Sequence, residues 1–226
     1  MTQLFSKIRR KFLHLRLQPI RVFLFHQVSE VFDPVSMWEC DWMSATDFMT
    51  KVNNLQKEYT FISLPKAHDK LKHDIFRFKK YAVLTADDGS KTIECILPWL
   101  MEQDIPITLF LNGSYLDGKT YRETPAERYF TKDEIMQLNM RYITFGHHSW
   151  DHKDLRCLTK EEFLSSICKN MAMLADFPNL IPFWAYPYGT HSCACDELLR
   201  ENGLVPLYMD GLMNYNDAKC IHREIL

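Results

Sequence analysis

The stretch "RYITFGHHSWDHKDL", residues 141–155, decides how this chain is read. Its first half is a short run with the β-branched and aromatic content of a strand. Its second half gathers His147, His148, Trp150, Asp151 and His152 into a polar turn. A strand ending in such a cluster points outward along the chain, to what stands at the ends of the other strands.

The same pattern recurs. "RVFLFHQV", "TFISL", "KYAVLTADDG", "ITLFLNG", "IPFWAYPYG" and "LVPLYM" read as strands. Between them lie stretches with helical spacing: "SATDFMTKVNNLQKEY", opened by a Ser or Thr cap, "PKAHDKLKH", "SKTIECILPWLMEQD", "TKDEIMQLNM", "TKEEFLSSICKNMAML" and "ACDELLREN". This βαβα rhythm predicts an α/β protein with a parallel sheet and helices outside it, either a barrel or a doubly wound sheet. In both, function sits at the C-terminal ends of the strands. "ADDG", "GHHSWDH" and "AYPYG" each end a strand, so the three clusters would meet at one mouth.

Composition sets the limits. The chain has 226 residues, 46% hydrophobic and 25% charged, with no internal repeat or Gly/Ser linker, which suits one domain with a substantial core. A formal charge of -2 gives no hint of nucleic acid, which usually needs a basic surface, and leaves room only for a local basic patch. Seven cysteines at irregular spacing fit reduced thiols in a cytosolic compartment better than a disulfide framework, and Cys193 and Cys195 lack the second pair of a zinc ribbon. No run matches a signal-peptide core or the roughly 20 apolar residues of a membrane span, so a cytoplasmic location is expected. Residues 1–19 form a basic segment in which Phe5, Ile8, Phe12 and Leu15 recur at helical spacing. An ordinary packing helix is favoured there. The alternative is a helix in peripheral contact with the inner membrane face.

The chemistry follows from three motifs. Asp87 and Asp88 are adjacent at a strand end, so their side chains point in different directions: one can bind a cation while the other handles a proton. His148 and His152 stand four apart, a spacing that lets two imidazoles reach one ion, whereas His147 is out of phase and reads as a supporting or packing residue. Asp88, His148 and His152 give two imidazoles and a carboxylate, the make-up of a catalytic divalent site with open positions, zinc being its commonest occupant, with cobalt, nickel or iron as alternatives. Asp87 would then be the general base in hydrolysis of an amide or ester. The Pro-Tyr-Gly turn can present a backbone N–H to an oxyanion, Trp184, Tyr186 and Tyr188 could form an aromatic wall, and Trp184, Tyr186 and Pro187 would line the substrate.

In these residues the chain resembles the polysaccharide deacetylases of carbohydrate esterase family 4, which include the chitooligosaccharide deacetylases of nodulation. The family's T-F-D-D-G appears as "TADDG" at 85–89, its H-[ST]-x-x-H as "HSWDH" at 148–152 and its R-x-P-[YF]-G as "AYPYG" at 185–189. "LFHQVSE" resembles the family's opening strand, and the likeness runs over roughly residues 20–210. The resemblance implies a distorted (β/α) barrel of about seven parallel strands in a catalytic domain spanning 20–226. It implies removal of an acetyl group from an N- or O-acetylated sugar, with metal-bound water as nucleophile. By position it gives Asp87 as base, Asp88, His148 and His152 as metal ligands, and the Tyr188 N–H as oxyanion donor.

The departures are specific. Ala86 replaces a Phe, and Ala185 stands where many members carry the Arg that orients the base. The late motif that supplies a general acid has no clear counterpart; His222 is the last histidine of the chain and a weak candidate. His26 reads equally well as a cleft residue or a core histidine. The chain ends soon after, which leaves closure of the barrel open. The expected partner is an acetylated glycan or a nucleotide- or lipid-linked sugar precursor. Two alternatives remain: hydrolysis of another carbon–nitrogen amide bond, and a glycan-binding pseudoenzyme, against which retention of both aspartates argues.

Overall fold

The computed structural model describes residues 17–32, 42–74, 76–117 and 129–226. The basic segment read from residues 1–19 lies almost wholly outside these. The strands are β1 (Ile20–Phe25), β2 (Gln27–Ser29), β3 (Trp42–Ser44), β4 (Thr60–Phe61), β5 (Tyr81–Ala86), β6 (Ile107–Leu111), β7 (Ile143–His147), β8 (Leu180–Ala185), β9 (Val205–Met209) and β10 (Ile221–Ile225). The α-helices are α1 (Ala45–Gln56), α2 (Leu64–His73), α3 (Leu97–Glu102), α4 (Lys132–Met136), α5 (Lys160–Leu174) and α6 (Cys193–Glu201).

Seven parallel strands run β1-β10-β9-β8-β7-β6-β5, and β5 pairs with β1 from Ile20↔Tyr81 to Phe25↔Ala86, so the barrel is closed. Closure, which the short C-terminal end had left open, is made by β10 inserting between β9 and β1. β4 adds to the far edge of β5, while β2 and β3 form a separate ribbon.

Strand periodicity sorts the core into layers. On β1 and β5, Phe23, Phe25, Ala82, Leu84 and Ala86 face the helices, in one buried cluster with Phe48 and Val52 of α1. The alternate residues Val22 and Val83 join Phe110, Phe183, Ala185, Leu207 and Ile221 in the barrel interior. α2 carries Leu64, Ala67 and Leu71 on one face into this inner cluster, with Lys70 over the ring of Tyr81 at the start of β5, so it closes the end at which the strands begin. The opposite end is left for the site. A third cluster, with Trp184, Tyr186 and Tyr208 against Phe163, Leu198 and Leu199, packs α5 and α6 on the outside of β8 and β9.

The helices begin where their caps lie. Ser44 caps α1 through the Asp47 N–H, and Thr131–Glu134 and Thr159–Glu162 are full capping boxes for α4 and α5. The stretch 90–104, read as one helix, is a 3₁₀ turn over Lys91–Cys95 followed by α3, whose second residue is Pro98.

Gly146 is demanded by packing. A Cβ on Gly146 would stand 2.4 Å from Phe110 Cε1 and 3.2 Å from the Phe183 carbonyl oxygen. Phe110 is fully buried and its ring lies under the Arg223 guanidinium at 5.3 Å, so it has nowhere to go. Gly146→Ala is expected to lower unfolding free energy by roughly 2–3 kcal/mol, measured by urea denaturation; a midpoint within error of the parent would mean the interior yields more than its packing implies.

Candidate active site

The mouth at the C-terminal ends of β5, β7 and β8 collects the three motifs. The Asp87 N–H continues the ladder to the Phe25 carbonyl at 3.0 Å, and Asp88 turns out of it with φ 69°. Asp88 Oδ1 lies 3.2 Å from His148 Nε2 and 3.1 Å from His152 Nε2, and all three side chains are buried. Ligand atoms ~2.1 Å from a shared ion stand about 3.4 Å apart in a tetrahedral arrangement, so these separations suit one divalent ion. Among the described residues this is the one group of three His, Cys, Asp or Glu side chains able to hold a metal.

The imidazoles are prepared for that use. His148 Nδ1 is 2.9 Å from the Ala185 carbonyl, which fixes the proton on Nδ1 and leaves Nε2 as a lone-pair donor. The His152 N–H donates to Ser149 Oγ at 2.9 Å, the Trp150 N–H to Ser166 Oγ at 2.9 Å, and Asn112 Nδ2 to the His148 carbonyl. These bonds hold the loop 148–152 in a conformation that ordinary residues resist. Of six non-glycine residues with positive φ among those described, Asp88, Ser149, His152 and Tyr188 all belong to this mouth. Left-handed backbone at non-glycine positions persists only where surroundings enforce it, and it concentrates at functional sites.

Asp87 faces the interior and meets Arg223 of β10: Nη1 donates to Oδ1 at 2.7 Å and Nη2 to Oδ2 at 2.9 Å, both partners buried. Arg223 Nη1 also reaches Thr85 Oγ1 at 3.3 Å. Burial would push the Asp87 carboxyl up, but the Arg223 guanidinium beside it more than offsets this and holds it below the usual carboxylate range. Asp87 is therefore held as an oriented carboxylate, which makes it the candidate proton acceptor. Arg223 is the functional residue that sequence reasoning missed.

Other expectations are corrected. Trp184, on the outer face of β8, and Tyr186, just beyond it, are 0% and 1% exposed and Pro187 is buried, so these three offer a substrate no surface, and of the expected aromatic wall Tyr188 alone is open. The exposed ring is that of Tyr188, 59% accessible and 4.7 Å from the His152 ring. His222 is one residue out of phase with Arg223, so it points away from the interior and pairs through Nδ1 with Asp210 Oδ2 at 2.7 Å. That removes it as a general acid at this mouth.

His147 is not among the clustered ligands: it stacks on Trp184 and lies 3.4 Å from Asn170 Nδ2. Burial lowers its pKa to about 4 from 6.5. The unfolded chain therefore takes up a proton that the folded chain refuses between those values. Stability is fully present above 6.5 and is lost as pH falls towards 4, by roughly 3 kcal/mol. In metal-free protein, urea midpoints at pH 7 and pH 4.5 should diverge more for the parent than for His147→Asn; equal acid sensitivity would assign the loss to other groups.

A closed parallel α/β barrel with its polar clusters gathered at the C-terminal mouth defines the class. The chain belongs to the polysaccharide deacetylase family, whose model matches residues 77–207, and the members of this family are hydrolytic enzymes. The fold is similar to that of IcaB from Ammonifex degensii, with 21% identity and a TM-score of 0.76 over 94% of each chain. It is similar also to the Streptococcus pyogenes deacetylase PplD in complex with acetate, with 17% identity and a TM-score of 0.77 over 93% of each. The deacetylase domain of BpsB from Bordetella bronchiseptica matches at 17% identity and a TM-score of 0.69, over 92% of this chain and 95% of that domain. No curated protein sequence matches.

Proposed function

We propose that this protein is a metal-dependent deacetylase that hydrolyses the N-acetyl group of an amino sugar within a glycan or glycan precursor. The observation that carries this reading is the pairing at one mouth of an Asp-His-His cluster with a second, separately held carboxylate. A binding module has no use for an ionised aspartate held apart from the metal cluster beside a metal-binding one. The chemistry that an ion held by Asp88, His148 and His152 supplies when bound is Lewis acidity, which polarises a carbonyl and lowers the pKa of water. Zinc suits this donor set best, with cobalt, nickel or iron as alternatives.

The protein's own groups do the rest. Asp87, held by Arg223, takes the proton of the attacking water. The Tyr188 N–H, offered from a left-handed turn, donates to the oxygen that becomes negative. The departing amine needs a proton, and we infer that His26, which follows directly on β1 at the same end of the barrel, supplies it. The membrane contact read from the basic N-terminal segment remains part of the proposal for where the enzyme works, as does a cytoplasmic location. No helix among the described residues is long and apolar enough to cross a membrane.

The test is acetate release from N-acetylated glucosamine oligomers by metal-reconstituted protein, with metal content measured on the same samples. One equivalent of metal, and release lost in both Asp87→Asn and His148→Ala, supports the reading. Bound metal without release across varied acyl sugars would favour the amide-hydrolase or glycan-binding alternative.

A further inference from the structure

The buried carboxylate of Asp196 lies outside the barrel, on α6, and takes no part in the chemistry above. It accepts the hydroxyl of Tyr186 on Oδ1 at 2.9 Å and the hydroxyl of Tyr208 on Oδ2. Arg200, one helical turn on, stands 3.7 Å from Oδ2 and is partly exposed. Burial, reinforced by Asp196, raises both phenols far above their usual range, so both remain O–H donors at any working pH. The two rings are stacked 6.4 Å apart, within the cluster that packs α6 on the sheet.

The two tyrosines differ in what they carry. Tyr208 is the fourth residue of β9, held in the ladder opposite His222. Tyr186 stands between two working groups. The carbonyl of the residue before it, Ala185, fixes His148 Nδ1. Two residues after it comes Tyr188, at φ 56° and ψ 10°. The Tyr186 carbonyl itself accepts the Gly189 N–H at 3.1 Å, closing the turn over Tyr188. On the far side Thr190 Oγ1 donates to Asp154 Oδ1 at 3.2 Å and to the Pro187 carbonyl at 3.3 Å. The strained turn is thus pinned at both ends, and at its entry the pin is the phenol of a buried side chain.

We propose that Asp196 is a positioning residue that acts through the Tyr186 hydroxyl to hold the 186–189 turn, and with it the Tyr188 N–H, in catalytic register. The proposal rests on the deacetylase reading of the mouth. A residue in left-handed backbone relaxes when its surroundings loosen, and a shift of an ångström in an oxyanion donor is costly to rate but not to substrate binding. Tyr208 provides the internal control, because it gives Asp196 an equivalent bond from a strand outside the 186–189 turn, and a Phe at 208 keeps the ring that stacks on His191 while losing only the hydroxyl.

The experiment uses the full metal-loaded chain and three variants: Tyr186→Phe, Tyr208→Phe and Asp196→Asn. Two readouts are taken: kcat and KM for acetate release from N-acetylated glucosamine oligomers, and hydrogen exchange of peptides covering 185–190. Tyr186→Phe should lower kcat by about tenfold or more with KM changed less than about twofold, and should speed exchange in the turn. Tyr208→Phe should lose a similar amount of thermal stability while keeping kcat within about threefold and exchange in the turn unchanged. Asp196→Asn, where it folds, should follow Tyr186→Phe. Equal kcat losses in the two Phe variants, or unaltered exchange in Tyr186→Phe, would reduce Asp196 to a general packing anchor and overturn the proposal. If the parent releases no acetate, it is the deacetylase reading that fails, and the exchange contrast still decides whether Asp196 holds the turn.

Discussion

Asp87→Asn lowers kcat for acetate release by on the order of 10³, the contribution of a well-placed general base, while metal content stays at the parent level. The metal-binding cluster survives because Asp88 contacts His148 and His152 from the other side of the turn. The fold is strained by the change. Asn offers Arg223 a single acceptor and no charge, and a buried guanidinium that loses its carboxylate costs roughly 3 kcal/mol, so kinetics belong well below the variant's melting temperature. Affinity for the glycan, measured by calorimetry, should hardly move. An Asp87→Asn protein that keeps more than about a tenth of parental kcat would show that another group takes the proton, since the expected loss for a base lies far beyond that. Unchanged glycan affinity in the absence of any parental turnover would be the signature of a binding protein.

Much of this site was legible in the sequence for a simple reason. "TADDG", "HSWDH" and "AYPYG" are continuous stretches at strand ends, and the parallel topology that the βαβα rhythm predicts must bring those ends together. The reading failed where the answer depended on which face of a strand a residue occupies. A shift of one residue moves a side chain to the other face. In β8 and the residue after it that put Trp184 and Tyr186 under the helices, and Ala185 inside. In β10 it put His222 outside and Arg223 inside. A signal was present in "CIHREIL": Ile221 and Ile225 flank Arg223 at a spacing of two, so the arginine shares the apolar face. An arginine there demands a buried carboxylate. The histidine drew attention because the family's acid is a histidine. Backbone strain at Ser149 and Tyr188 had no sequence signal, since neither is glycine nor one of the Asn, Asp or His residues that more often take positive φ; Asp88 and His152 are of that kind, but the type alone does not single them out.

Arg223→Ala should be the most destabilising single change outside the metal cluster. It leaves Asp87 buried with no countercharge, a loss of 3–5 kcal/mol in comparable buried pairs, roughly, and it deprives the base of both bonds that aim it. A kcat loss of about 10² or more is expected even in molecules that remain folded. Arg223→Lys separates aim from charge: a lysine supplies a point cation without the two-pronged geometry, so stability should return further than kcat. The sharper test concerns Ala185. The resemblance places an orienting arginine at that position in many relatives, and Ala185 lies in the same barrel interior as the β10 side chains. The two positions are therefore alternative origins for one guanidinium, one on the strand that bears the oxyanion turn and one on the strand that closes the barrel. Ala185→Arg alone should destabilise, because it adds a second large cation to a filled interior. In the Arg223→Ala background it fills the vacated volume and restores the charge facing Asp87, so melting temperature and kcat should both rise above those of Arg223→Ala. A double variant no better than the single one would mean that Asp87 depends on the approach from β10, and that the family's usual arginine does not substitute for it in this barrel.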